Sequence, residues 1–347
     1  MSPGGVRHHS TYIHHTKSEY SVPMLKKAPP STIIKRGYAR VAEWQTQRTQ
    51  NPSIARSCGF DSHPGHQKET LFKFQKSMKI GVFDSGLGGL LILRSIVKKL
   101  PTYDYIYLGD AQRAPYGNRS HETIYLFLRQ AVDHLFKKNC ALVIVACNTA
   151  SAEALRKIQR DYLPRHYPDR RVLGVIIPTA EQVLEGDEIE RIGVLGTQAT
   201  VDSGAYLREI GKLDRKIRVF QSAAPLLVPL IEGGKIAWAG PFLREYLKPL
   251  SEKKVQVIIL GCTHYPLLKR EIRKITKVPL ISQDECIPAK LEDYLVRHKE
   301  MDARLSRNGT VKLFVTDITR PYAKFVRTWF GKRINLIKTD IDRPVTA

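Results

Sequence analysis

At 347 residues, 42% of them hydrophobic and 26% charged, the chain has the composition of a globular protein and the length for two domains of ordinary size. No stretch comes near the roughly 18 uninterrupted apolar residues of a membrane span, and the first residues lack the apolar core and cleavage site of a secretory signal. Five cysteines without framework spacing exclude a disulfide scaffold and point to free thiols in a reducing cytoplasm.

The formal net charge of +23 raises a nucleic-acid reading. Residues 1–77 carry 12 Lys+Arg against 4 Asp+Glu, or +8, which leaves +15 on residues 78–347. Beyond residue 77 the basic residues are scattered, as in VKKL, DRR and SEKK, without an arginine-rich helix or a repeated aromatic platform. A solvated basic surface is the simpler account, and no nucleic-acid partner is expected.

Residues 1–77 show neither helical nor strand periodicity and mix His, Pro, Ser, Gln and Lys. RHHSTYIHH (7–15) has the composition of a metal-binding tract, yet no ordered ligand set follows it. The segment VAEWQTQRTQNPSIARSCGFDSHPGHQ (41–67) resembles the conceptual translation of a transfer-RNA gene. CGFDSH can be back-translated to complementary GTGGG and CCCAC arms around TTCGACT, and QRTQNPS to an anticodon arm. Translation is therefore expected to begin at Met78; a genuine disordered extension is the alternative, and no function is placed on the leader.

From Met78 the pattern becomes regular. KIGVFDSGLGGLLILRSIVKKL reads as a short apolar strand, a Gly-rich turn and an amphipathic helix. YDYIYLGD follows as a strand, SHETIYLFLRQAVDHLFKKN as a helix opened by Ser120, ALVIVAC as a strand and TASAEALRKIQRDYL as a helix. Strands alternating with helices imply a parallel sheet covered on both faces, with ligands at the carboxyl ends of its strands. The series then restarts. RIGVLGTQATV (191–201) matches KIGVFDSGLGG, with Gly196 and Thr197 where Asp84 and Ser85 stood, and VQVIILGCTHYP matches ALVIVACNTA. Asp84 to Cys147 is 63 positions, and Gly196 to Cys262 is 66. The fold expected is α/β: two pseudo-symmetric, doubly wound parallel-sheet domains facing across a cleft, with Cys147 and Cys262 as equivalent positions on its two walls. The chain is expected to cross into the second domain near 174 and to return near 281, giving 78–174 plus 281–347 and 175–280 as the two domains.

Two equivalent thiols suit inversion at a carbon acid, which needs one base to remove the proton and one acid to return it from the other face. A thiol with a pKa near about 8.5 can serve in either role. Helix N-termini after CNT and CTH are expected to favour the thiolate, with Asp84 and His264 as titratable neighbours. A buried cysteine at a strand end is commonly just a small apolar residue; the paired settings ACNT and GCTH argue for function. A metal site from Cys147, Cys262 and His264 lacks the usual ligand spacing, and a Cys–His protease leaves the second cysteine unexplained. Cys58, Cys140 and Cys286 are read as inert. FDSGLGG (83–89) lacks the dinucleotide spacing, but its glycines allow close approach of backbone to ligand. There Asp84 could face an ammonium and Ser85 a carboxylate. APYGNRS (114–120) brings Tyr116 and the Gly117 amide to a ligand or is a plain turn. Asn148, Thr149 and Thr263 add neutral donors, a set suited to a zwitterion with an extra carboxylate.

IGVFDSGLGG, PYGNRS, VIVACNTASA, IGVLGTQATV and LGCTHYPLL together resemble the glutamate racemases of the cofactor-independent aspartate/glutamate racemase superfamily, over residues 78–280. Aspartate racemases typically carry Glu where His264 stands. The resemblance implies reversible interconversion of L- and D-glutamate for peptidoglycan, with Cys147 and Cys262 as the acid/bases. Asp84, Ser85, Tyr116, Gly117, Asn148, Thr149, Thr263 and His264 would form the substrate site, with Glu232 in LVPLIEGG assisting. Pro178-Thr179-Ala180 departs from a common Pro-Gly-Ala, and the ending LFVTDITRPYAKFVRTWFG matches only loosely. The expected partners are glutamate and a second copy in a homodimer, with no membrane, no metal and no cofactor. A sister activity on a related acid, and a DNA-binding protein using the basic surface, are the competing readings.

Overall fold

The computed structural model describes residues 77–185, 189–331 and 334–341. The readings placed on residues 1–76, including the transfer-RNA-like segment, the His tract and Cys58, lie outside the described residues.

Among the described residues, ten strands fall into two separate, wholly parallel sheets. The first contains β1 (Lys79–Asp84), β2 (Tyr105–Gly109), β3 (Cys140–Val145), β4 (Arg171–Gly174), β9 (Val311–Val315) and β10 (Leu336–Lys338), in the order β10-β9-β2-β1-β3-β4. The second contains β5 (Arg191–Gly196), β6 (Arg218–Ala223), β7 (Val257–Gly261) and β8 (Leu280–Ile281), in the order β6-β5-β7-β8. The inner strands are apolar runs buried along their length because helices cover both faces of each sheet. The helices Gly89–Lys99 and Gln283–Arg297 pack on one face of the first sheet and His121–Lys137 on the other. Ala239–Glu252 and Lys269–Ile275 cover one face of the second sheet, and Ile176–Leu184 with Ala205–Leu213 the opposite one. Ser120 opens its helix as expected, its hydroxyl accepting from the Thr123 amide at 3.3 Å.

The two sheets share one winding scheme. Reading β2-β1-β3-β4 against β6-β5-β7-β8, the second strand lies on one side of the first, and the third and fourth lie on the other. Each order reverses between its first and third strands, the crevice where open parallel sheets bind ligands. The repeat extends to single residues: Phe83 pairs with Val145 beside Asp84 and Ala146, and Gly196 pairs with Gly261. Cys147 and Cys262 are therefore the next residues at equivalent places.

The helix expected after Cys147 is interrupted. It runs as Asn148–Glu153 and Leu155–Lys157, passes through a π-turn at Ile158–Tyr162 and ends as Leu163–His166. Ile158 and Leu163, five positions apart, are both buried, and the wider π-turn keeps that spacing on one face. Thr179, the bulkier residue at the departure, is buried within its own helix and donates to the Val175 carbonyl at 2.6 Å. No helix among the described residues is long and apolar enough to cross a membrane.

Candidate active site

The segments leaving β1, β2, β3, β5, β6 and β7 converge on one narrow cavity. Its walls are built from Ser85 and Gly86, Ala114 to Asn118, Cys147 to Thr149, Thr197, Pro225, Val228, Glu232 and Cys262 to His264. Its volume is about 30 Å³, room for about two waters. Of the residues singled out from sequence, all but Asp84 line this cavity. Asp84 lies behind the wall, fully buried.

Cys147 is 4% exposed and caps the helix Asn148–Glu153, its Sγ accepting from the Ala150 amide at 3.4 Å. The Ser85 hydroxyl stands 3.2 Å from the same sulfur. Burial pushes the Cys147 thiol up to about 12, and the nearby charge of Asp84 adds to the shift. The helix N-terminus favours the thiolate as expected, through the Ala150 amide, but loss of solvation outweighs it. At Cys262, 5% exposed, a short 3₁₀ turn (Tyr265–Leu268) follows instead of an α-helix. The partner here is His264, whose Nδ1 is 3.7 Å from Cys262 Sγ and whose Nε2 is 2.9 Å from Glu232 Oε1. Burial opposes the positive charge on His264, but Cys262 and Glu232 outweigh it and hold its pKa well above the usual value. Glu232 is desolvated too, yet its bond to His264 lowers its pKa, so the pair reads as imidazolium and carboxylate. The two sulfurs thus meet different surroundings, a hydroxyl and a buried acid at Cys147 and a charged imidazole at Cys262.

Asp84 joins the two halves of the site. Its Oδ1 accepts from the Thr263 hydroxyl at 3.2 Å and its Oδ2 from the Gly86 amide at 3.0 Å. Desolvation raises its pKa to about 6, against the lowering effect of His264. The Gly86 carbonyl accepts from the Tyr107 hydroxyl at 2.9 Å and also from Tyr322 of the helix Arg320–Phe330. The loosely matching C-terminal segment therefore reaches the back of the site.

Tyr116 turns its hydroxyl away from the cavity onto Asp110, which also takes Arg113 Nε at 2.6 Å and the Thr316 hydroxyl at 2.9 Å. Gly117 is needed for close approach: a Cβ there would meet the Thr197 Cβ at 2.9 Å. Thr149 reaches across to Thr197, hydroxyl to hydroxyl at 2.9 Å. The sequence reading missed Thr197, Asp110, Tyr206 and Tyr322. Thr197 was within reach, because it occupies the place of Ser85 in the repeat. Cys140 and Cys286 are buried free thiols away from the cavity wall, held protonated by burial with pKa values pushed up to about 12 and about 11. Among the described residues no group of three or more His, Cys, Asp or Glu side chains is arranged to hold a metal ion.

This cavity can be compared with known proteins. The family model of the Asp/Glu/Hydantoin racemases matches residues 80–286. A glutamate racemase from Aquifex aeolicus is 38% identical over 260 residues, covering 74% of this chain and 96% of its own. Among solved structures, the glutamate racemase isoform RacE1 of Bacillus anthracis superposes with a TM-score of 0.69 at 33% identity, covering 76% of this chain and 98% of its own. The Francisella tularensis glutamate racemase, solved in complex with D-glutamate, gives a TM-score of 0.68 at 33% identity, covering 77% and 98%. The chain belongs to the Asp/Glu/Hydantoin racemase family and, within it, to the glutamate racemases.

Proposed function

We propose that the protein racemises glutamate without a cofactor, through proton transfer at Cα between Cys147 and Cys262. One observation carries the reading: two cysteines at equivalent registers of two like-wound sheets line a single cavity. One thiolate takes the Cα proton and becomes a thiol, the electron pair remaining on the substrate as an enolate-like carbanion. The opposite thiol then gives its proton to the other face and becomes the thiolate, so the reverse reaction starts from the exchanged state. The high cost of ionising the buried Cys147 is offset when the substrate ammonium enters beside it. His264, held by Glu232, serves Cys262, and Asp84 acts from behind through Thr263 and the Gly86 amide. Asn148, Thr149, Thr263, Ser85 and the Gly117 amide bind the carboxylates, and Tyr116 shapes the wall.

The wider reading is that D-glutamate is supplied to peptidoglycan synthesis by a cytoplasmic homodimer. Its protomer is divided into residues 78–174 with 281–347 and residues 175–280. The test is incubation of a Met78-start protein with L-glutamate in deuterated buffer, followed by circular dichroism and mass spectrometry. Optical activity should decay while deuterium enters at Cα, and Cys147→Ala and Cys262→Ala should each abolish both. Racemisation at the wild-type rate by either variant would refute the two-thiol mechanism.

A further inference from the structure

Behind Cys147, three elements bring uncharged polar groups together in a fully buried spot. Tyr206, on the helix Ala205–Leu213, donates its hydroxyl to Asn148 Oδ1 at 2.8 Å. The same hydroxyl oxygen receives Gln283 Nε2 at 3.1 Å, from the first turn of the helix Gln283–Arg297. Tyr206 and Gln283 have no exposure, and Asn148 has 2%. Asn148 Nδ2 has no hydrogen-bond partner among the described residues, although the residue lines the cavity. A buried donor left open beside a cavity is costly unless a ligand completes it.

A primary amide is nearly symmetric in shape and can present either its oxygen or its NH₂ to a neighbour. What decides is the direction of the hydrogen bonds behind it. Gln283 N–H fills a lone pair of the Tyr206 oxygen, so the phenol hydrogen is directed to Asn148 Oδ1, and the Asn148 NH₂ faces elsewhere. Reversing that chain would turn the amide oxygen toward the cavity, where it would repel a carboxylate and attract an ammonium.

We propose that Tyr206 and Gln283 are positioning residues that hold the Asn148 amide with its NH₂ toward the cavity, so that this corner of the site accepts a substrate carboxylate. The proposal rests on the assignment of Asn148 to substrate binding. Burial keeps Tyr206 protonated at any working pH, since it raises the phenol well above its usual pKa, so the donor is permanent.

The experiment is a double-mutant cycle of Tyr206→Phe and Asn148→Ala, with KM and kcat measured for both enantiomers and melting temperature as a folding control. Tyr206→Phe keeps the ring and removes the donor. KM should rise about tenfold for L- and D-glutamate while kcat changes by less than about threefold. In the Asn148→Ala background the same substitution should leave KM unchanged, because its target is gone. Should Tyr206→Phe fail to fold, Gln283→Met removes only the outer donor and should raise KM about threefold. Additive effects in the cycle, or an unchanged KM in the single variants, overturn the inference. A wild-type protein that racemises glutamate while Asn148→Ala keeps its KM defeats this inference alone. A wild type that does not racemise glutamate defeats the functional reading beneath it.

Discussion

Gly88→Ala tests how closely the two halves of the site are fitted. Gly88 has φ −63° and ψ −33°, a conformation alanine adopts freely, so no backbone strain is involved. The obstacle is space. A Cβ there would stand 2.5 Å from Thr263 Oγ1, 2.6 Å from the Thr263 carbonyl carbon and 2.8 Å from the His264 amide nitrogen. The hydroxyl can rotate away, whereas the backbone cannot. Reaching 3.4 Å, the near edge of ordinary contact, needs about 0.8 Å of separation (3.4 − 2.6). That displacement falls on the segment between Cys262 and His264, and a shift near 1 Å in a reacting group costs about 10²-fold in rate. Overpacking adds about 1–3 kcal/mol of destabilisation. We expect kcat/KM for glutamate, followed by circular dichroism, to fall about a hundredfold in a folded protein. The control is Gly211→Ala, inside the helix Ala205–Leu213, where a Cβ meets nothing within 4 Å. It should keep full activity and gain up to about 1 kcal/mol. A Gly88→Ala enzyme with wild-type kcat/KM would refute the reasoning.

Asp84 and Tyr322 offer two further tests. Burial raises Asp84 from 3.8 to about 6, so its ionised form costs the folded state about 3 kcal/mol. The folded value lies above the unfolded one, so this penalty is complete above pH 6 and disappears as pH falls toward 3.8. Wild type should therefore gain stability relative to Asp84→Asn on acidification from pH 7 to pH 4 in urea titrations; parallel curves would contradict this. Tyr322→Phe should cost only about 0.5–1.5 kcal/mol, since Tyr107 still serves the Gly86 carbonyl. The double variant Tyr107→Phe/Tyr322→Phe leaves that carbonyl unpaired and should lose more than the sum of the singles; additive melting shifts would show that the two phenols do not share one acceptor.

The strands and the cysteine register were legible because buried parallel strands read as apolar runs and the turn residues after them recur in both copies. Most cavity residues lie within a few positions of those strand ends, so quoting the turns was enough to name them. Tyr206 and Tyr322 were not legible, because each acts on a residue distant in sequence and through a single hydroxyl. Tyr206, for example, reads locally as one more apolar position of an amphipathic helix. The balance at Cys147 was not legible for a related reason. Local sequence displays the helix N-terminus that follows it, while the lost solvation and the Asp84 charge arise only from the assembled core.

The small volume of the cavity has a kinetic consequence. An amino acid is several times larger than the space for about two waters, so glutamate cannot enter or leave this arrangement without the walls parting. Walls closed on the substrate would shut out bulk solvent and keep the sulfurs from exchanging hydrogen with it. On the proposed two-thiol mechanism, the hydrogen delivered to the product would then be the one its donor acquired before closure, and how often the chamber opens would set a ceiling on turnover.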